Sequence, residues 1–117
     1  HYEKHLKTLR SNLQRIKKQY FNHLKKQLPH SCKIHYFPAG YFLWIELPEL
    51  VNSHDLYLDL LQQGVSVTPS SLFNMADQNT HFIRINCSFE LNERIQNALN
   101  LLSHTIEKHR TRVQSEL

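Results

Sequence analysis

Hydrophobic residues in the first quarter of the chain recur at steps of three and four residues. Seven positions share this spacing: Leu6, Leu9, Leu13, Ile16, Tyr20, Leu24 and Leu28. The spacing predicts one amphipathic helix over residues 2–28 with a single apolar stripe and with its cationic residues on the remaining faces. Pro29 is expected to end the helix, because proline disfavours helical geometry in the residue before it.

Two strands are predicted next, over residues 33–37 and 41–47, with a tight turn at Pro38-Ala39-Gly40 between them. Side chains alternate between the two faces of a strand. The second strand therefore carries Phe42 and Trp44 on one face and Leu43, Ile45 and Leu47 on the other. Because both faces are apolar, this strand is expected to be covered on both sides.

A short helix is predicted over residues 54–63, with Ser53 as its N-cap and Gly64 in the left-handed position after its end. Its predicted apolar face consists of Leu56, Leu60 and Leu61. A short strand over residues 65–68 follows, closed by Pro69, and the polar residues 70–80 predict a loop.

Residues 81–87 alternate well and predict another strand, and a final helix is predicted over residues 90–112. The resulting order, α-β-β-α-β-β-α, indicates an α+β fold of two layers. We expect a small, mostly antiparallel sheet with helices packed on one face, preceded by the long N-terminal helix. The 117 residues suit a single domain, divided into a long basic helix over 1–29, a core over 30–112 and a tail over 113–117.

Positive charge is concentrated in the first helix. Residues 1–28 hold eight lysines and arginines against Glu3 alone, whereas the rest of the chain has a net charge of −3. Such a segment could contact phosphate groups of nucleic acid, or it could be a solvated helix face or a face that packs against another domain. A stand-alone basic module that binds nucleic acid or a partner protein is therefore an alternative function.

Cys32 and Cys87 each lie beside a predicted strand, and no CxxC pattern occurs. Reduced, buried thiols are the favoured interpretation, and they indicate a cytoplasmic protein. No apolar run approaches the roughly 20 residues of a membrane span. Nine histidines are present, but no HExxH or Cys/His cluster accompanies them, so no metal site is predicted.

Arg84 is the main candidate for a binding residue, because it lies in the middle of an alternating strand between Ile83 and Ile85. A guanidinium there is costly unless it is paired or faces a cleft. Its planar fork can hold a carboxylate through two parallel hydrogen bonds. The alternative is a structural arginine paired with an acid such as Glu46 or Asp77.

Four segments in this order resemble the small domain of fold-type I (class I/II) PLP-dependent aminotransferases. They are Gly40-Tyr41-Phe42-Leu43-Trp44-Ile45-Glu46-Leu47-Pro48, Gly64-Val65-Ser66-Val67-Thr68-Pro69-Ser70, Ser71-Leu72-Phe73 and Phe82-Ile83-Arg84-Ile85-Asn86-Cys87-Ser88. The stretch from Tyr2 to Arg10 resembles a helix of MocR-type (GntR family) transcription regulators, which join a DNA-binding domain to an aminotransferase-like domain. The chain departs from the family at Ala39-Gly40, where Gly-Gly is frequent, and at Pro69-Ser70, where Pro-Gly is frequent.

The resemblance implies that Arg84 grips the α-carboxylate of an amino-acid substrate or effector, and that Gly40 and Tyr41 border that site. It also implies a homodimeric parent protein whose large domain supplies the PLP-binding lysine. The small domain then helps to close the active site and contributes no catalytic, cofactor-binding or metal-binding residue. The chain alone is accordingly expected to be inactive, and DNA would be bound only through a separate upstream domain.

Overall fold

The structure is a computed structural model that describes residues 2–70 and 81–116. It contains α1 (Tyr2–Gln27), β1 (Lys33–His35), β2 (Phe42–Glu46), α2 (Ser53–Gln62), β3 (Thr68–Pro69), β4 (Phe82–Asn86) and α3 (Glu93–Glu116). The predicted order of helices and strands is confirmed. Apart from Ser70, the predicted loop over residues 70–80 lies outside the described residues.

The described strands form one antiparallel sheet in the order β1-β2-β4-β3. In the central pair, Leu43 lies opposite Ile85 and Trp44 lies opposite Arg84. Backbone hydrogen bonds from Cys87 N to Tyr41 O (2.7 Å) and from Leu47 N to His81 O (2.6 Å) extend this ladder at both ends. Since bonded pairs alternate with non-bonded pairs, Trp44 and Arg84 form a non-hydrogen-bonded pair, whose side chains lie close together.

The three helices cover one face of the sheet, and the core lies between these two layers. Its buried members come from every layer: Ile16, Tyr20 and Leu24 of α1, Leu56 and Leu60 of α2, Leu99, Leu102 and Ile106 of α3, and Leu43, Ile45, Ile83 and Ile85 of the sheet. The predicted α+β fold of two layers is confirmed. The opposite face is only partly covered within the described residues, since Phe42 is 36% exposed. The prediction that β2 is covered on both sides is therefore wrong for this part of the chain.

Helix α2 begins one residue earlier than predicted, because Asn52 and not Ser53 is its N-cap. The Asn52 side-chain oxygen accepts hydrogen bonds from the backbone N–H groups of His54 (2.9 Å) and Asp55 (3.0 Å). Ser53 is instead the first helical residue and is buried. Gly64 has a φ of +82°, which confirms its predicted left-handed position.

Other boundaries also differ from the prediction. Leu61 is 47% exposed, so it does not belong to the apolar face of α2. Strand pairing after α2 involves Thr68 and Pro69 and not the whole of residues 65–68. Helix α3 begins at Glu93 because the Asn92 side chain accepts a hydrogen bond from Ile95 N (2.9 Å).

Two further sequence predictions concern the cysteines and the membrane. Cys32 and Cys87 are free thiols, Cys87 fully buried and Cys32 half-buried, and burial raises the pKa of each to about 12. None of the helices in the described residues combines the length and the apolar character that crossing a membrane requires.

Candidate functional site

Arg84 lies at the centre of β4, on the sheet face that points away from the helices. Its neighbours in sequence, Ile83 and Ile85, are buried against the helices, and alternation therefore directs Arg84 to the other side. Across the sheet it is flanked by Trp44 of β2 and Thr68 of β3. The arginine is half-buried, as expected for a residue on a partly covered face.

Aromatic rings hold the Arg84 guanidinium in place. Its carbon Cζ lies 4.1 Å from the centre of the Phe42 ring and 6.0 Å from that of Trp44. The negative charge on a ring face attracts a guanidinium, and contacts of this kind contribute about 0.5–1 kcal/mol at exposed positions. The guanidinium therefore packs against two aromatic rings on the sheet face that the helices do not cover.

Of the two acids that the sequence suggests as partners of Arg84, only Glu46 lies among the described residues. Glu46 accepts a hydrogen bond from His35 Nε2 at 3.1 Å, on the far side of Trp44 from Arg84. Asp77 lies outside the described residues. Nothing in the described geometry thus assigns Arg84 to an ion pair with Glu46.

The turn that contains Gly40 and Tyr41 is adjacent to the strand that carries Arg84. Tyr41 O accepts the hydrogen bond from Cys87 N, and the next residue, Phe42, is the ring over which Arg84 lies. Gly40 has a φ of +80°, a conformation that side-chain-bearing residues rarely adopt. The glycine in this turn is therefore required by backbone geometry, and the three predicted site residues lie in one region.

An aromatic depression of about 380 Å³ lies on the same sheet face. It is lined by His35, Phe37, Trp44 and Phe82. Trp44 borders both this depression and Arg84. The face therefore places the Arg84 cation beside an apolar, aromatic surface, an arrangement suited to a ligand that carries a carboxylate beside an apolar group.

Lys17 does not lie where the charge pattern of α1 predicts it. The cations of α1 were all expected on its exposed faces, but Lys17 is fully buried. Its Nζ donates hydrogen bonds to the backbone oxygens of Phe37 and Gly40, the latter at 3.1 Å, and lies 4.6 Å from the centre of the Tyr36 ring. A signal was present in the pattern, because Lys17 lies four residues after Leu13 and three before Tyr20, on the apolar stripe itself.

Ser70, where the family often has glycine, is also buried. Its hydroxyl accepts a hydrogen bond from Phe82 N at 3.3 Å and lies 3.5 Å from the hydroxyl of Ser53. The serine thus links the start of β4 to the first turn of α2, which a glycine could not do.

The lysines among the described residues differ in their surroundings. The amine of Lys17 is occupied by two backbone carbonyls, and the other lysines of α1 are exposed. Lys33 lies at the edge of the sheet, and Lys108 contacts Asp59 at 3.5 Å on α2. No group of three or more potential metal ligands occurs among the described residues.

Comparisons with known proteins agree with this architecture. No family model matches the chain. The chain is 34% identical over 107 residues to the uncharacterized HTH-type transcriptional regulator YdcR of Escherichia coli, covering 92% of this chain and 23% of YdcR. The chain thus spans about a quarter of the length of this relative.

Solved aminotransferases share the fold. The α-aminoadipate aminotransferase LysN of Thermus thermophilus matches with a TM-score of 0.82 and 19% identity over 94% of this chain and 28% of LysN. The kynurenine aminotransferase of Pyrococcus horikoshii matches with a TM-score of 0.80 and 22% identity over 91% of this chain and 26% of the enzyme. The chain therefore has the fold of an aminotransferase small domain, and it resembles the corresponding part of PLP-dependent aminotransferases and of HTH-type transcriptional regulators.

Proposed function

We propose that this chain is the ligand-gripping small domain of a PLP-dependent aminotransferase-like protein. Arg84 binds the α-carboxylate of an amino-acid substrate or effector, and the turn at Gly40 and Tyr41 borders the bound molecule. The observation that carries the proposal is the position of Arg84, a half-buried cation in mid-strand on the sheet face that the helices leave open.

The rest of the parent protein completes this site. The exposed ring of Phe42 and the open aromatic depression are surfaces that a second domain would cover. PLP, which supplies electron withdrawal from the amino acid when it is bound, is held in this proposal by the remaining three quarters of the parent. Adding PLP to this chain alone is expected to give no stoichiometric absorbance band that depends on one particular lysine.

Within the proposal, a regulator is favoured over a metabolic enzyme. The 34% identity to an HTH-type regulator exceeds the 19% and 22% identities to the two aminotransferases. The parent would then be a homodimeric transcription regulator of the MocR type, in which amino-acid binding at Arg84 is read by a separate DNA-binding domain. The sequence that precedes His1 in the parent tests this choice, since a winged-helix domain is expected there.

The alternative of a stand-alone basic module receives less support. Lys17 is buried, and Arg15 contacts Glu90 at 3.2 Å, so two of the eight cations of the first helix are engaged within the domain. Binding of duplex DNA by this chain is expected to be weak and strongly dependent on salt. Tight, sequence-selective binding at physiological salt would favour the alternative.

The decisive experiment is removal of the guanidinium in the full-length parent. Loss of a charge-assisted, two-point contact is expected to cost about 2–4 kcal/mol, which corresponds to a dissociation constant roughly 30- to 700-fold higher for the amino acid. Arg84→Lys should restore only part of the affinity, because an ammonium cannot reproduce the fork. Calorimetric titration of the amino acid measures both variants.

Two controls separate binding from folding. Arg94→Ala removes an exposed arginine from the first turn of α3 and is expected to leave the affinity unchanged. Thermal melts of this chain with Arg84→Ala are expected to show little change in stability, because Arg84 lies on the sheet face that points away from the core. Unchanged amino-acid affinity, or a large loss of stability in the melts, would show that Arg84 is structural.

A further inference from the structure

Lys17 is a buried, cationic side chain. Neither the packing of the core nor the proposed ligand contact of Arg84 explains why a lysine occupies this position. It lies on α1 among the core residues Ile16, Tyr20 and Leu24, and no part of it is exposed. Burial lowers the pKa of Lys17 from its usual value, partly offset by the nearby Cys87. A lysine at such a position is disfavoured unless its ammonium is well satisfied by hydrogen bonds.

The partners that satisfy Lys17 all belong to one segment, the turn between β1 and β2. Its Nζ donates to the carbonyl oxygens of Phe37 and Gly40. One helical turn earlier, Gln14 Nε2 donates to the carbonyl oxygen of Pro38 at 3.3 Å. Three of the four carbonyl groups from residue 37 to residue 40 therefore accept hydrogen bonds from side chains of α1.

This arrangement also orients the amides of the turn. In a trans peptide the N–H group points opposite to the carbonyl of the same unit. Since the carbonyls of Pro38 and Gly40 point at α1, the N–H groups of Ala39 and Tyr41 point away from it. On its other side the turn is bonded to the end of β4 through Tyr41 O and Cys87 N.

We propose that Lys17 is a positioning residue, which fixes the turn of residues 37–41 against α1 and thereby sets the backbone of Gly40 and Tyr41 relative to Arg84. The inference rests on the proposed function of the Arg84 site. A leucine or methionine could fill the same volume without a buried charge, but it would leave two carbonyl groups without their donor. The charge is therefore explained by the turn it holds and not by packing of the helix.

The first arm of the test measures order in the turn of this chain by ¹⁵N relaxation. In the original chain the amides of Ala39, Gly40 and Tyr41 are expected to have order parameters of about 0.85. Lys17→Met keeps the length and apolar stem but removes the donor, and should lower these values below ~0.6. Ile16→Ala, which removes a core side chain from the same helix, should lower overall stability and leave the order parameters of the turn unchanged.

A second variant keeps the first arm interpretable if Lys17→Met does not fold. Lys17→Gln is shorter by one atom but retains an N–H donor, so it should preserve one of the two carbonyl contacts and give intermediate order parameters. If the turn remains as ordered in either variant as in the original chain, Lys17 does not position it and the inference is wrong.

The second arm uses the full-length parent and calorimetric titration with the amino acid. Both variants are measured well below their melting temperatures. Lys17→Met is expected to raise the dissociation constant at least ~10-fold. Ile16→Ala should leave the dissociation constant within ~2-fold of that of the original protein. Equal effects of the two variants would show that Lys17 acts only through general stability, which overturns the inference.

Arg84→Ala in the same titration separates the two proposals. Loss of affinity in Arg84→Ala without loss in Lys17→Met would overturn the role of Lys17 and leave the proposed function standing. Unchanged affinity in Arg84→Ala would remove the proposed function, and with it the ligand role of Lys17, whatever the order parameters of the turn.

Discussion

Helices α2 and α3 are joined at their surface by polar contacts centred on one carboxylate, Asp59, which offers a test of the fold. Its oxygens accept hydrogen bonds from His109 Nε2 (2.8 Å) and Gln63 Nε2 (2.9 Å), and Lys108 Nζ lies at 3.5 Å. The side chain of Asp59 is 21% exposed and that of His109 is 10% exposed. The hydrogen bond from His109 is the main reason why the pKa of Asp59 lies below its usual value, against the opposing effect of burial.

Asp59→Asn keeps the size of the side chain and removes its charge. Hydrogen bonds to a charged group contribute about 1.5–3 kcal/mol each, against about 1 kcal/mol for neutral ones. The amide still accepts one hydrogen bond, so the variant should lose about 2 kcal/mol of unfolding free energy at pH 7. Urea unfolding followed by circular dichroism measures this difference.

The pH dependence of the difference identifies its cause. Because the folded-state pKa of Asp59 is depressed, its extra stability is fully present above the unfolded value of about 3.9 and is lost as the pH falls through the folded value. The difference in unfolding free energy between the original chain and Asp59→Asn should therefore decrease as the pH is lowered from 5 to the lowest pH at which the chain stays folded.

Glu49→Gln serves as the control, since Glu49 is exposed in the segment between β2 and α2. It should change the unfolding free energy by less than about 0.5 kcal/mol at either pH. Equal stability of Asp59→Asn and the original chain at pH 7 would refute the role assigned to Asp59. A difference in unfolding free energy that does not decrease at lower pH would refute it as well.

Three further experiments test other parts of the structure. Leu56→Ala removes a fully buried side chain and should lower the unfolding free energy by about 3 kcal/mol, whereas Leu58→Ala, at a position 46% exposed, should cost less than about 1 kcal/mol in the same urea titration. Asn52→Ala removes the N-cap of α2 and should cost about 1 kcal/mol; no measurable loss would contradict the capping geometry. Cys87, fully buried with a pKa of about 12, should react with a thiol reagent at pH 8 only as fast as the chain opens, so rapid labelling under native conditions would contradict its burial.

Much of the architecture could be predicted because it rests on local periodicity. The four-residue spacing of Ile16, Tyr20 and Leu24 predicts the buried face of α1, and the two-residue alternation around Arg84 predicts which way its side chain points. Proline and glycine act through their own backbone geometry, so the left-handed residue Gly64 was also predictable.

Boundaries were predicted less well, because neighbouring polar residues compete for the same role. Asn52 and Ser53 are both good N-cap residues, and only the folded backbone shows that the Asn52 oxygen receives the N–H groups of the first turn. Leu61 fits a helical apolar face equally well in sequence, but no other element lies over it in the described structure, and it remains 47% exposed.

The sequence by itself determined the order of helices and strands, the face of β4 on which Arg84 lies and the glycine that the turn at residue 40 needs. Only the tertiary structure decided that Lys17 bonds to the carbonyls of Phe37 and Gly40, that Glu46 bonds to His35 and that Asp59 joins α2 to α3. The physical reason is that each of these three contacts joins residues separated by 11 to 50 positions in the chain. Periodicity within one element carries no information about which distant carbonyl or carboxylate will meet a cation once the helices pack on the sheet.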